Sequence, residues 1–93
     1  MEIEYDPAKR DVVLAARGLD MARCGEAFDG FHETKHDDRH SDFELRFLSL
    51  ALLDKAVVII AWTPRGEARR IITMWKANDR ERQSYRIARE RSG

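Results

Sequence analysis

The spacing of apolar positions in this chain changes once, near Gly30, and the change separates two kinds of expected element. Ile3 and Tyr5 alternate with Glu2 and Glu4, which predicts a short first strand. Asp6-Pro7 then fits an N-cap and first helical position, because a proline there lacks only an N–H that has no helical partner anyway. The helix runs to Arg17, with Val12, Val13 and Ala16 at helical spacing, and Gly18 supplies a left-handed stop. Asp20 caps a second helix that carries Met21, Cys24, Ala27 and Phe28 on one face and ends at Gly30.

Beyond Gly30 the period shortens. Phe31, Glu33 and Lys35 against His32 and Thr34 fit a strand, followed by a polar loop from His36 to Asp42. Glu44 to Leu52 alternates Leu45, Phe47 and Ser49 with Arg46, Leu48 and Leu50. Ala56 to Trp62 is a continuous apolar run rich in β-branched residues, as expected for a central strand covered on both faces. Pro64-Arg65-Gly66-Glu67 reads as a turn and Arg69 to Trp75 as the last strand. Asn78 and Glu81 form a capping box for a final helix from Asp79 to Arg91, packed through Tyr85 and Ile87 or Ala88. The expected fold is α+β in the order β-α-α-β-β-β-α. It has a twisted, largely antiparallel sheet of about four strands, two N-terminal helices packed together and one C-terminal helix.

Composition narrows the class. Residues 1–93 suit a single domain, and 43% apolar content is enough for a globular fold. The Ala56–Trp62 run is far short of the roughly 20 residues of a membrane span. Met1-Glu2-Ile3-Glu4 lacks the basic flank and apolar stretch of a signal peptide, so a cytoplasmic protein is the simplest expectation. Cys24 is the single cysteine, which excludes an internal disulfide and a four-cysteine metal site. The net charge of zero hides a polarity: from Arg65 onward nine Lys or Arg face four Asp or Glu, and before it eight face thirteen. A basic C-terminal part points to a polyanionic partner.

Three segments, in order and spacing, resemble one family. Tyr5-Asp6-Pro7-Ala8-Lys9 with Arg17-Gly18-Leu19, then Glu44-Leu45-Arg46-Phe47, then Arg70-Ile71-Ile72-Thr73-Met74-Trp75-Lys76-Ala77 with Glu81-Arg82 and Tyr85 are similar to the BrnT toxins. The resemblance implies a RelE-like fold and a ribonuclease of a type II toxin–antitoxin system that stops translation by cutting RNA. It implies no cofactor and no metal. It also implies a BrnA-type antitoxin, a ribbon-helix-helix protein through which alone the pair meets DNA. The chain departs from the family pattern at Val13, at Ala16-Arg17, and at Thr73-Met74-Trp75, where the family has Ser-Ala-Arg.

RNA cleavage of this kind needs a base for the 2′-hydroxyl, positive charge at the phosphate and a proton for the leaving oxygen. Arg46, Arg65, Arg70 and Lys76 are the candidate cations, since arginine's planar fork suits phosphate. Glu44 is the nearest carboxylate for a base, two residues from Arg46 and so on the same strand face. The expected catalytic set is Glu44, Arg46 and Arg70. The expected RNA-binding set is Arg65, Trp75, Lys76, Arg80 and Arg82, with Trp75 stacking on a base. Arg70 and Lys76 share a face if the last strand is regular, but at about 20 Å they cannot grip one phosphate.

Each assignment has a plainer counterpart. Glu44 and Arg46 fit a same-face ion pair, Trp75 fits a core aromatic, and the arginines of the last helix fit a solvated face. The alternative function is a catalytically weakened relative that keeps antitoxin or RNA binding after losing the family Arg at Trp75. His32, His36 and His40 have metal-binding chemistry, yet their interval crosses a strand-to-loop junction, and a polar loop is the preferred reading.

Overall fold

The computed structural model describes residues 2–39 and 45–93. The apolar run forms the middle strand, β4 (Ala56–Arg65), flanked by β3 (Phe47–Leu53) and β5 (Ala68–Lys76), both antiparallel to it. Strand β2 (His32–His36) pairs antiparallel outside β3. The two-residue β1 (Ile3–Glu4) lies parallel outside β5, so the sheet order is β1-β5-β4-β3-β2. Five strands therefore make a mixed sheet where about four were expected. Both marginal segments find partners: β1 pairs with Arg69 and Arg70, and all of β2 with β3 from Phe47 to Ala51.

Two tight turns set the hairpins. Asp54 and Lys55 join β3 to β4 with φ of 51° and 67°, the signs of a type I′ turn made without glycine. The next turn is shorter than expected: Pro64 and Arg65 continue β4, leaving Gly66-Glu67 alone. Gly66 has φ of 57°, which fits the first central position of a type II′ turn.

Each face of β4 has its own cover. Val58, Ile60 and Trp62 join Ala51, Leu53, Ile71 and Met74 against helix α1 (Pro7–Arg17), a 3₁₀ turn (Met21–Arg23) and helix α2 (Cys24–Asp29). Val57, Ile59 and Ala61 join Leu48, Leu50, Ile72 and Trp75 beneath helix α3 (Asp79–Ser92), whose Tyr85 is buried. The expected capping box of α3 is present, with Asn78 and Glu81 exchanging hydrogen bonds of 2.8 Å. Ile87 is exposed, leaving Tyr85 as the buried anchor of α3. The second helix is split, yet Met21, Cys24, Ala27 and Phe28 all face inward as expected. In α1 only Val13 is buried. Val12, one of the apolar positions at helical spacing, is 65% exposed.

Strand β5 is not regular. Ala61 pairs with Thr73 and Trp62 with Ile71, which leaves Ile72 as the extra residue of a β-bulge. Arg70 opposes Thr63 and Lys76 opposes Val58, and these two partners lie an odd number of residues apart on β4. Arg70 and Lys76 therefore point to opposite faces, contrary to the expectation for a regular strand. Past the end of β1, Arg17 clamps the outer side of β5, donating to Met74 O at 2.8 Å and Thr73 Oγ1 at 3.0 Å.

Arg10 ties α1 to the 3₁₀ turn by a bidentate pair with Asp20, at 2.7 and 2.8 Å. Those bonds, helped by the Ala22 N–H and opposed by partial desolvation, hold the Asp20 carboxyl at about 2, below its ordinary 3.8. A depressed carboxyl stabilises the fold above its unfolded pKa and loses that contribution as pH falls through its folded one. Asp20→Asn should therefore lower the urea midpoint by a constant amount above pH 5. The gap to the wild type should close between pH 4 and about 2, as seen in denaturation curves across that range.

Candidate active site at the end of the sheet

The ends of β3, β4 and β5 meet the first turn of α1. Leu45 and Arg46 precede β3, but their backbone is held from both sides. Thr63 Oγ1 donates to Leu45 O at 2.6 Å, and Asp37 N donates to Arg46 O at 2.9 Å. Phe47 pairs with Trp62, so Arg46 falls beside Thr63, and Thr63 pairs with Arg70. Opposed residues share a face, and Arg65 follows Thr63 by two positions, so Arg46, Thr63, Arg65 and Arg70 all point to the α3 side. Lys9 and Asp6 reach the same place from α1. Together these six side chains line a recess of about 230 Å³.

Among the described residues, the charge lining this recess is mostly positive. Asp6 is partly committed, since its Oδ1 accepts the Ala8 N–H at 3.0 Å as the α1 cap. Arg70 lies 3.8 Å from Glu4 on the neighbouring strand, a long ion pair between half-exposed groups that leaves most of its fork available. Lys9 occupies the first turn of α1, where the helix dipole disfavours a cation. That misplacement was the available sequence signal for Lys9, which sequence reasoning did not select.

Glu44 falls outside the described residues. Arg65 ends β4 as the last paired residue before the Gly66-Glu67 loop. Lys76 lines a separate recess with Asp20, Arg23 and Asp54 on the α1 side. Trp75 is half-buried in the α3-side core, with the Arg39 guanidinium 5.8 Å from its ring centre. Arg80 is exposed on α3, while Arg82 pairs with Asp79 and donates to Ala77 O at 3.1 Å. The structure thus brings Arg46, Arg65 and Arg70 together and separates them from Trp75 and Lys76.

Neighbouring residues have different work. Arg69 points to the α1 side, 4.0 Å over the Phe28 ring and 5.1 Å from Trp62, where burial lowers its pKa from the ordinary value. Cys24 is buried with its Sγ 3.8 Å from Met74 Sδ, and desolvation pushes its thiol up to about 12, far from thiolate reactivity. His32 and His36 lie about 13 Å apart along a strand, too far to share an ion. His40 lies outside the described residues, among which no group of three His, Cys, Asp or Glu is placed to hold a metal. No helix among them is long and apolar enough to cross a membrane.

The family model for the ribonuclease toxin BrnT of type II toxin–antitoxin systems matches residues 5–81. The chain belongs to this family. The match begins at Tyr5, just past β1, and it spans Asp6, Lys9, Arg46, Arg65 and Arg70. Among curated proteins none matches the chain. As a BrnT-family member the chain is a toxin of a type II system and is paired there with an antitoxin.

The position of Trp75 has an energetic consequence. Its ring fills the layer between β4 and α3 alongside Leu48, Ile59 and Tyr85. Trp75→Ala should cost about 2–3 kcal/mol, below the full value for a completely buried tryptophan, as read from the urea unfolding midpoint.

Proposed function

We propose that the chain cuts RNA at the recess lined by Lys9, Arg46, Arg65 and Arg70, without a metal ion, and that this cutting stops translation. The observation that carries the reading is the convergence on one small concavity of three arginines and a lysine, from α1, β4, β5 and the segment before β3. Exposed strand cations usually spread over a face; here the bulge and the hairpin registers gather them.

The chemistry assigns each group a task. The 2′-hydroxyl oxygen attacks the adjacent phosphorus as its proton passes to a carboxylate, and the bond from phosphorus to O5′ breaks. The products are a 2′,3′-cyclic phosphate and a 5′-hydroxyl end, so proton loss at one oxygen balances proton gain at the other. Arg46 and Arg70 carry the charge that develops on the phosphate, because their forks donate paired hydrogen bonds there. Arginine holds its proton too tightly to act as an acid, which leaves Lys9 as the donor to O5′. Glu44, two residues before Arg46, is the proposed base, and Arg65 holds a flanking phosphate. Arg80 and Arg82 extend the positive surface along α3. The antitoxin of this reading is a ribbon-helix-helix protein whose acidic segment covers Arg46 and Arg70 and so excludes RNA.

One observation favours the second reading, a binding module with weakened cleavage. Trp75 stands where the family pattern has Arg, and its ring is committed to the core. The two readings part in one assay. Purified chain incubated with a labelled RNA and a chelator should yield cyclic-phosphate ends. Arg46→Ala and Arg70→Ala should each slow cleavage roughly a hundredfold or more, the scale of a lost charge-stabilising donor. Lys76→Ala, on the opposite face, should change the rate less than about twofold. RNA bound but left intact by the wild type would establish the binding module instead.

A further inference from the structure

Strand β2 ends the sheet, and no described strand pairs with its outer side. Its five residues, His32-Glu33-Thr34-Lys35-His36, are nearly all exposed. An open edge of this length is a template for another strand, and proteins usually blunt such edges. The second sheet edge is only the two residues of β1, with Arg17 clamped on the β5 backbone beyond it. Strand β2 has no comparable cover among the described residues.

Its backbone phase is known. Asp37 N donates to Arg46 O, so Asp37 points toward β3, and Lys35 and Glu33 do so by alternation. His32, Thr34 and His36 therefore direct their N–H and C=O groups outward. Their side chains are already placed. Thr34 Oγ1 lies 2.7 Å from Ser49 Oγ, His32 packs edge-on to Phe28 and His36 edge-on to Phe47. Glu33 and Lys35 are on the other face, toward α3, and line a groove of about 560 Å³ with Phe31, Leu50, Ile87 and Arg91.

The order of these residues is symmetric about Thr34, and the charges on either side of it are opposite. We infer that β2 is a self-pairing edge, and that two copies of this chain join through an antiparallel β2–β2 contact centred on Thr34. In that arrangement Thr34 opposes the partner's Thr34 and His32 opposes the partner's His36, each pair exchanging both outward backbone hydrogen bonds. Glu33 then opposes the partner's Lys35, and Lys35 the partner's Glu33. These fall at the positions without backbone hydrogen bonds, where opposed side chains stand closest. A pairing shifted by one residue would turn Glu33 and Lys35 to the wrong face, and one shifted by two would set like charges opposite each other. Among registers shifted by up to two residues, only the one centred on Thr34 matches backbone phase and charge together. The two-fold axis runs normal to the sheet, so both α3 helices stay on one side. Their grooves meet, with each exposed Ile87 facing the joint.

Charge swapping tests this. The full chain, made by chemical synthesis and refolded, should sediment as a dimer at tens of micromolar. Glu33→Lys and Lys35→Glu should each raise the dimer dissociation constant about tenfold or more, because symmetry converts two attractive cross-strand pairs into two repulsive ones. Circular dichroism should report an unchanged fold in both. The combined variant Glu33→Lys with Lys35→Glu restores the opposition in reversed sense and should recover the dimer. A wild type that stays monomeric at 100 micromolar, about the upper range of such measurements, overturns the inference. Single variants that dimerise as well as wild type, or a combined variant that stays monomeric, overturn it equally.

Discussion

Strand β4 has no polar face, and the rest of the molecule is arranged around that fact. From Val57 to Ala61 its side chains enter apolar layers on both sides of the sheet. A chain of 93 residues must therefore build two thin cores where one would suffice for a half-exposed sheet. It spends α1, the 3₁₀ turn and α2 on one side and leaves a single helix for the other. That helix has one buried side chain, Tyr85. The sparing cover on the α3 side is what leaves the strand ends there open, and the cationic recess occupies that opening.

The recess illustrates how charge density arises without a cluster in the sequence. Lys9, Arg46, Arg65 and Arg70 are scattered over two thirds of the chain, and none sits in a basic run with another of the four. Cross-strand registry gathers three of them and a helix start adds the fourth. The basic C-terminal helix, which dominated the charge pattern, lines none of that concavity. Gross charge asymmetry pointed to a surface; strand pairing gathers the cations of the recess.

How much of this was legible in the sequence differs by element. The central strand, the capping box and the inward face of Met21, Cys24, Ala27 and Phe28 follow from local spacing and cap chemistry, and the structure contains them. The marginal strands β1 and β2 were harder to weigh, because a two-residue or fully exposed strand has no hydrophobic period of its own and exists through its neighbour. The assignment of Arg70 and Lys76 to one face failed for a sharper reason. Parity arguments count residues, and the extra residue Ile72 is invisible to counting until the partner strand is known. Lys9 escaped because a first-turn lysine reads as surface, although its conflict with the helix dipole was on view.

The bulge has a further consequence when the residues around it are read in pairs. Arg69-Arg70 and Ile71-Ile72 are doublets. If the ladder absorbed Ile72 as an ordinary residue, Ile72 would take the place of Ile71 opposite Trp62, and Ile71 would turn toward α3. Arg69 would face the recess, and Arg70 would lie over the Phe28 and Trp62 rings. Each face would keep one isoleucine and one arginine, so side-chain chemistry barely distinguishes the two alignments. The choice falls to the hairpin, where the two-residue loop at Gly66, with its left-handed φ, would have to become a three-residue loop. In this half of β5 the backbone turn sets the alignment, and the side chains are nearly neutral between the two.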